Sequence, residues 1–254
     1  MPTPPQTIPE VIADLTSIID ASIKAPSRLG YFAALYRRVT AAVEANLSSF
    51  DDPERMARFD VAFASRYLDA LRTFQAGGRP TRSWQVAFDA ASDSSAIILQ
   101  HLILGMNAHI NLDLGIAAAR IAPGAQLPGL RGDFLKINAL LAALVPAVVE
   151  ELGTVSPLIG LISQVLGPTD DDRIANFSLS AARDWAWHVA ETLAPLGPVA
   201  QAEVIALLDR TVAGFGRHLW HPDPVLAAVY QVIRSQETDS ITEVIAVLAA
   251  PSAG

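Results

Sequence analysis

The segment from Gln100 to Gly115 is an apolar stretch that carries six polar side chains but no lysine, arginine or glutamate. If it is helical, His101, Gly105, His109 and Asp113 lie four residues apart and form one line along the helix. Glycine at position 105 would leave space between the two imidazoles for a water, a metal or a ligand group.

Asn107 and Asn111 form a second pair with the same spacing on a different face of this helix. Burying six polar side chains in one helix costs several kcal/mol unless each of them finds a partner. The segment therefore predicts a buried polar network, a ligand, or both.

Two chemistries suit these residue types. Neutral imidazole and carboxylate ligate zinc, iron or manganese, which predicts a divalent metal held by His101, His109 and Asp113. The same three groups, together with His188, could instead act as general acids and bases. All four are therefore candidate catalytic residues.

Further partners are expected from Ala182–His188, where Asp184 and His188 lie four residues apart and Arg183 lies four residues before Trp187. Arg217–His221 and Asp133–Asn138 are two other polar segments. The predicted ligand-contacting side chains are Asn107, Asn111, Arg183, Asp184, Trp187 and Tyr67.

A structural interpretation competes with each of these predictions. His101 and His109 are eight residues apart, whereas zinc-binding helices commonly place two histidines four apart. Buried His and Asn can simply link helices by hydrogen bonds, and Asp184 and His188 would then be an ordinary surface pair. Tryptophans are more often core residues than ligand platforms. A second polar set around Tyr36, Asp60 and Arg66 is interpreted mostly as interhelix contacts and surface, with the Tyr36 hydroxyl kept as a candidate pocket group.

Composition limits the function classes. Half of the 254 residues are apolar and 17% are charged, which predicts a well-buried core. The net charge of −8 is spread along the chain and disfavours nucleic-acid binding. The absence of cysteine excludes disulfides and thiolate metal sites. The N-terminus shows no secretory signal pattern, so a cytoplasmic location is expected.

Helical spacing of apolar residues recurs almost throughout, and it predicts an all-α, single-domain bundle of roughly nine to eleven helices. Residues 1–9 are predicted to be a flexible arm and residues 10–254 the domain. Pro123–Gly132 is predicted to be the longest internal loop. Ser94–Leu112 and Leu152–Thr169 approach membrane-spanning length, but polar residues or Gly and Pro interrupt them, so stable membrane insertion is not expected.

Several motifs together resemble an uncharacterised family catalogued as domain of unknown function 5995. They are Phe50-Asp-Asp-Pro, Phe63-Ala-Ser-Arg-Tyr67, Trp84-x-x-Ala-Phe88, Leu104-Gly-Met-Asn-Ala-His-Ile-Asn-Leu-Asp113, Asp133-Phe134 and Ala182-Arg-Asp-x-Ala-Trp187. The resemblance covers most of the chain. It implies the helical fold and the candidate site, and it implies no reaction.

The chain is also faintly similar to zinc-dependent phospholipase C and the related helical nucleases, which gather His and Asp from several helices. Their central helix has a carboxylate four residues after its first histidine, where this chain has Gly105, and their N-terminal tryptophan is absent here. These departures argue against a three-metal hydrolase and leave a single metal open.

The leading hypothesis is an enzyme, with metal-dependent hydrolase as the candidate class. It would act on a small, largely apolar or amphipathic molecule in a pocket between helices, with Pro123–Gly132 covering the entrance. The alternative is a non-catalytic binder of a hydrophobic ligand, or a helical interaction module, in which the His/Asn/Asp network is structural. Whether the chain forms a homo-oligomer is left open by the sequence.

Overall fold

The computed structural model describes residues 3–161 and 179–250, and within these ranges the chain is built of helices without β-strands. The predicted all-α class is confirmed. The helices are α1 (Ile8–Lys24), α2 (Leu29–Ala45), α3 (Pro53–Gln75), α4 (Arg82–Ala90), α5 (Ile98–Ala108), a π-helix (His109–Leu114), α6 (Gly115–Ile121), α7 (Leu127–Val155), α8 (Leu179–Leu193), α9 (Pro198–Trp220), α10 (Pro224–Arg234) and α11 (Ile241–Ala249).

Local sequence signals set several of the helix starts. The Asp52 carboxylate accepts a hydrogen bond from the Arg55 amide before α3, and Asp223 caps α10 in the same way. Both helices then begin with proline, whose missing N–H costs nothing in the first turn. Helix α1 starts at Ile8, inside the range predicted as a flexible arm, because Thr7 caps it and Ile8 is buried in the core.

Helix α5, the π-helix and α6 run on as one central helix, which packs against α2, α3, α4, α8 and α9. This helix carries the polar segment. A π-helix is rare and often marks a functional position, since its wider turn changes which side chains share a face. Small residues allow close packing around it: a Cβ added at Gly115 would lie 2.6 Å from the Ala186 carbonyl oxygen of α8.

Carboxylates from distant elements cap three helix starts that lie inside the bundle. Asp133 accepts hydrogen bonds from the backbone amides of residues 51 and 52 before α3, and Asp209 does so for residues 82 and 83 at the start of α4. Glu237 accepts the amide of Ile98 at the start of α5. These acceptors satisfy amides at the helix starts that have no partner within their own helix.

The prediction of a long loop at Pro123–Gly132 is wrong. The break is confined to a short 3-10 turn at Gly124–Gln126, after which α7 begins at Leu127. Pro128 is tolerated because it lies in the first turn, and Gly132 is helical next to Asp133, whose capping contacts fix this part of α7. No loop from this segment covers a pocket entrance.

Two other predicted helices lie partly outside the described residues. The helix predicted over Pro157–Leu166 is a turn from residue 157 to 160, and residues 162–166 lie outside the described ranges. The start predicted at Ser178 also lies outside them, and Leu179 is the first described residue of α8.

Two stretches are long and apolar enough to cross a membrane by length and composition alone. The first, Ile98–Ile121, is the central helix, and it is 83% buried inside the protein, as expected of a core helix. The second, Gly124–Val155, is only 18% buried and includes α7. Helix α7 therefore presents apolar side chains such as Val145 and Val149 at the surface.

Candidate functional site

The polar side chains from Gln100 to Asp113 are buried except that of Asn111, which is half-buried, and two of the uncharged residues link the central helix to α9. Gln100 donates from Nε2 to the carbonyl oxygens of Leu219 and Trp220, at 2.8 and 3.0 Å, and so caps the end of α9. Its Oε1 accepts the amide of Ile97. The structural interpretation is therefore sufficient for Gln100.

Asn107 and Asn111 face each other as their spacing predicts. Asn111 donates to the Asn107 side-chain oxygen at 2.9 Å, and Asn107 donates to the carbonyl of Val212 in α9 at 3.0 Å. The Trp185 indole donates to the backbone carbonyl of Asn111. The two amides line a small cavity of about 240 Å³ between the central helix, α8 and α9, apart from the larger cavity described below.

Asp113 is the most constrained polar residue of the helix. Its Oδ1 accepts from Arg66 Nε at 2.5 Å and its Oδ2 accepts from Trp84 Nε1 at 2.7 Å. Burial alone would raise the pKa of Asp113, but the Arg66 guanidinium and the indole hydrogen bond hold it below its ordinary value. The carboxylate thus joins α3, α4 and the central helix, and both of its oxygens already have partners.

His109 lies inside a box of aromatic rings. Its imidazole stacks on Phe63 with 3.6 Å between ring centroids, and Tyr36 meets it edge-on at 4.5 Å. Its Nδ1 is 3.7 Å from Asp113 Oδ2, too long for a hydrogen bond, and neither ring nitrogen has a partner among the described residues. Burial lowers the pKa of His109, which keeps the imidazole neutral.

His101 lies in a different environment from His109. It is buried edge-on to Tyr31, and burial lowers its pKa to about 4. The predicted open space at Gly105 is wrong, because the Phe32 ring fills it: a Cβ at Gly105 would lie 2.5 Å from that ring. The two imidazoles are separated by this packing and share no ligand space.

The predicted metal ligands His101, His109 and Asp113 are therefore not brought together as one set. Across residues 3–161 and 179–250, no three His, Asp or Glu side chains are grouped closely enough to hold a metal ion. The eight-residue spacing places the two histidines two turns apart, and Arg66 and Trp84 occupy the carboxylate.

On α8 the structure divides the predicted residues between two faces. Arg183 and Trp187 are buried, whereas Asp184 and His188 are exposed. Asp184 and His188 share the exposed face of α8, as their spacing predicts, but the hydrogen-bond partner of His188 is Glu191, at 3.0 Å. His188 therefore points away from the central helix, and a catalytic role beside His109 is not supported.

The buried pair on α8 packs against α7. Arg183 donates to Asn138 and to the carbonyl of Phe134, and its guanidinium lies over the Phe134 ring. Trp187 also packs against Phe134 and belongs to the core. Arg183 reaches the wall of the larger cavity, while Trp187 does not.

Tyr67 is buried against Phe32 and Trp84. Its hydroxyl has no hydrogen-bond partner among the described residues, and burial raises its pKa. It does not contribute to the wall of the larger cavity, so the prediction of a ligand contact is not supported.

A cavity of about 430 Å³ lies between α2, α3, the central helix and α7. Its described walls are aliphatic and aromatic except at four polar side chains, which are Tyr36, Asp60, His109 and Arg183. The aliphatic side comes largely from α7, through residues such as Leu141, Leu144 and Val148.

Asp60 is the residue that sequence interpretation missed. It is buried on α3, and its Oδ2 has no hydrogen-bond partner among the described residues. Burial, reinforced by the negative charge of Glu44, raises the pKa of Asp60 to about 7. The available signal was its position: Met56, Phe63 and Tyr67 lie four residues before, three after and seven after it, so Asp60 interrupts an apolar helix face.

Comparison with known protein families assigns the chain to one of them. A model described as a family of unknown function, DUF5995, matches residues 8–222. The chain belongs to this family. The match runs from the first residue of α1 to just beyond α9, so α10 and α11 lie outside it. Nothing matches among the curated proteins or the solved structures, and the similarity to zinc-dependent phospholipase C is not shown.

Replacing Asp113 by Asn tests the buried ion pair. We expect a loss of about 3 kcal/mol in the free energy of unfolding, because Arg66 would keep a largely buried charge without its counter-ion. Asp69→Asn removes an exposed partner of Arg72 on the same helix as Arg66 and should cost less than about 1 kcal/mol. Urea denaturation followed by circular dichroism gives both values, and equal losses would contradict this role of Asp113.

The raised pKa of Asp60 predicts a pH-dependent stability difference. In the folded protein the neutral form of Asp60 is favoured, so the contribution of this group to stability is largest at low pH and falls as pH rises from the ordinary value of 3.8 towards about 7. Asp60→Asn carries no such charge. The difference in unfolding free energy between Asp60→Asn and the wild type should therefore shift in favour of the variant as pH rises through this window. At higher pH the difference should stay constant. A constant difference across the window would contradict the buried, unpaired state.

Proposed function

We propose that this protein binds a small, largely apolar molecule in the cavity between α2, α3, the central helix and α7. The observation that carries the proposal is the cavity itself, whose volume of about 430 Å³ falls within the range of small-molecule sites. Such sites are mostly apolar and contain a few convergent polar groups.

Unsatisfied polar atoms on the cavity wall support this function. Tyr36 Oη, Asp60 Oδ2 and both nitrogens of His109 are buried without hydrogen-bond partners among the described residues. Buried polar atoms normally have partners, because leaving one unpaired costs about 1–3 kcal/mol. A bound molecule with one polar end group would supply partners at this wall.

The helix π-turn supports the same location. It begins at His109, so the wider turn starts where the imidazole enters the aromatic box. The polar network of Gln100, Asn107 and Asp113 fixes the rest of this helix to α3, α4 and α9. The wall that carries His109 is thereby held in place before any ligand arrives.

A cavity-filling variant tests the proposal. An uncharged apolar dye, N-phenylnaphthylamine, should bind the purified wild type with increased fluorescence. Leu144→Trp adds a large ring to the cavity wall and should weaken dye binding by about tenfold or more. Leu207→Trp, at an exposed position of α9, should bind the dye like the wild type.

Folding of both tryptophan variants is checked by circular dichroism. Absence of dye binding to the wild type, or equal binding by wild type and a folded Leu144→Trp variant, would refute the cavity as the binding site.

A second candidate function is acid–base catalysis on the bound molecule. It is favoured by the pKa of Asp60, which at about 7 is suited to proton transfer near neutral pH, and by neutral His109 on the same wall. Hydrolysis is the reaction class to try first, without assuming a metal. This candidate needs turnover, which the binding function does not.

Hydrolysis of nitrophenyl octanoate, an ester with an apolar chain, is a direct test of this candidate. We expect wild-type activity to rise with pH through about 7 as Asp60 ionises, and Asp60→Asn to lower it at least about tenfold. Asp69→Asn, an exposed change on α3, is the matched control. Equal rates for wild type and Asp60→Asn would eliminate catalysis by Asp60 and leave the binding proposal standing.

A further inference from the structure

The two charged groups on the cavity wall differ in whether their polar atoms already have hydrogen-bond partners. Among the described lining residues, Asp60 is the one carboxylic acid and Arg183 is the one strongly basic group. The Arg183 guanidinium already contacts Asn138, the Phe134 carbonyl and the Phe134 ring. Asp60 has an oxygen without a partner. Arg183 has no ion pair among the described residues, and burial lowers its pKa to about 10, but its donors are held by neutral acceptors. The charged group of this wall that still lacks a hydrogen-bond partner is therefore Asp60.

Aromatic rings line the same cavity from α2 and from α3, the helix that carries Asp60. Phe32, Tyr36, Phe59 and Phe63 all contribute to its wall, and Phe63 lies one turn from Asp60 on α3. The faces of such rings attract cations, most strongly where water is excluded. A carboxylate beside aromatic rings is thus a suitable environment for an ammonium group with an apolar chain.

Other end groups fit this wall less well. A carboxylate beside Asp60 would face another carboxyl, and like charges in a buried site are costly. The Arg183 guanidinium on the same wall is already bonded to Asn138 and to the Phe134 carbonyl. An alcohol could accept or donate one hydrogen bond but would leave the Asp60 charge uncompensated. The overall charge of −8 also favours the approach of a cation over that of an anion.

We propose that the cavity selects amphipathic amines, with the apolar chain in the aliphatic part lined by α7 and the ammonium group paired with Asp60 among the aromatic rings. This inference rests on the proposed binding function, since it concerns the ligand class of the same cavity. The pairing supplies the partner that Asp60 lacks.

Three ligands with the same chain test this selectivity: octylamine, octanol and octanoate, each displacing N-phenylnaphthylamine from the wild type at about pH 8. Octylamine should displace the dye at a concentration about tenfold lower than octanol, and octanoate should be weakest. Octanol or octanoate displacing the dye as effectively as octylamine would overturn the inference, and the dye binding itself would still support the cavity.

Variants identify the group responsible. Asp60→Asn should reduce the displacement by octylamine about tenfold and leave that by octanol within about twofold, whereas Asp69→Asn should change neither. Retention of the octylamine preference by folded Asp60→Asn would overturn the inference. The wild-type series alone decides the matter if that variant does not fold.

Attraction of the amine to the acidic surface is tested separately. Direct octylamine binding, measured by calorimetry, should be lost in Leu144→Trp and kept in Leu207→Trp. Equal octylamine binding by these two variants would place the amine at the surface and overturn the inference.

Discussion

Burial of the central helix depends on the pairing of Asp113 with Arg66 and Trp84. A carboxylate with 1% of its surface exposed is tolerated only when opposite charge and hydrogen bonds compensate its lost hydration. The two donors come from α3 and α4, so one carboxylate fixes both helices against the middle of the bundle. Gln100 and Asn107 attach the same helix to α9. These polar groups have hydrogen-bond partners and therefore a structural role. A polar group of the helix without a partner is instead a candidate functional residue.

That criterion separates structural residues from candidate functional ones. Asp113 and Asp60 are both buried carboxyls, but the pKa of Asp113 is lowered by its guanidinium and indole partners, whereas the pKa of Asp60 is raised to about 7 because burial has no compensation. His109 resembles Asp60 in lacking partners. Asp60 and His109 line one cavity, whereas the satisfied Asp113 and the unpaired His101 and Tyr67 lie outside its wall. A cavity wall that carries unpaired polar groups is typical of a small-molecule site rather than of a packing network.

Much of the fold could be predicted from local signals. Asp52-Pro53, Pro198 and Asp223-Pro224 mark helix starts because caps and first-turn prolines act within a few residues. Pro123–Gly132 misled for the same local reason: Gly and Pro suit a loop and also a helix start, and the deciding contact, from Asp133 to the amides before α3, spans about eighty residues of sequence. The polar segment 100–113 was correctly expected to be largely buried, and its amides and its carboxylate have partners, whereas its two histidines have none among the described residues. Spacing alone could not show that Phe32 fills the gap at Gly105 or that His188 faces solvent, since both depend on packing between helices.

Asp60 shows why only part of the candidate site could be predicted from the sequence. A concentration of polar residues in an apolar segment indicates a satisfied network, because several polar groups can be hydrogen-bond partners for one another. A site for an apolar ligand has the opposite signature, namely a single polar residue on an otherwise apolar face, as Asp60 is on α3. Its uncompensated burial lowers the stability of the free protein. A ligand that supplies a positive charge beside Asp60 would recover that free energy on binding, and the recovered free energy would contribute to its affinity.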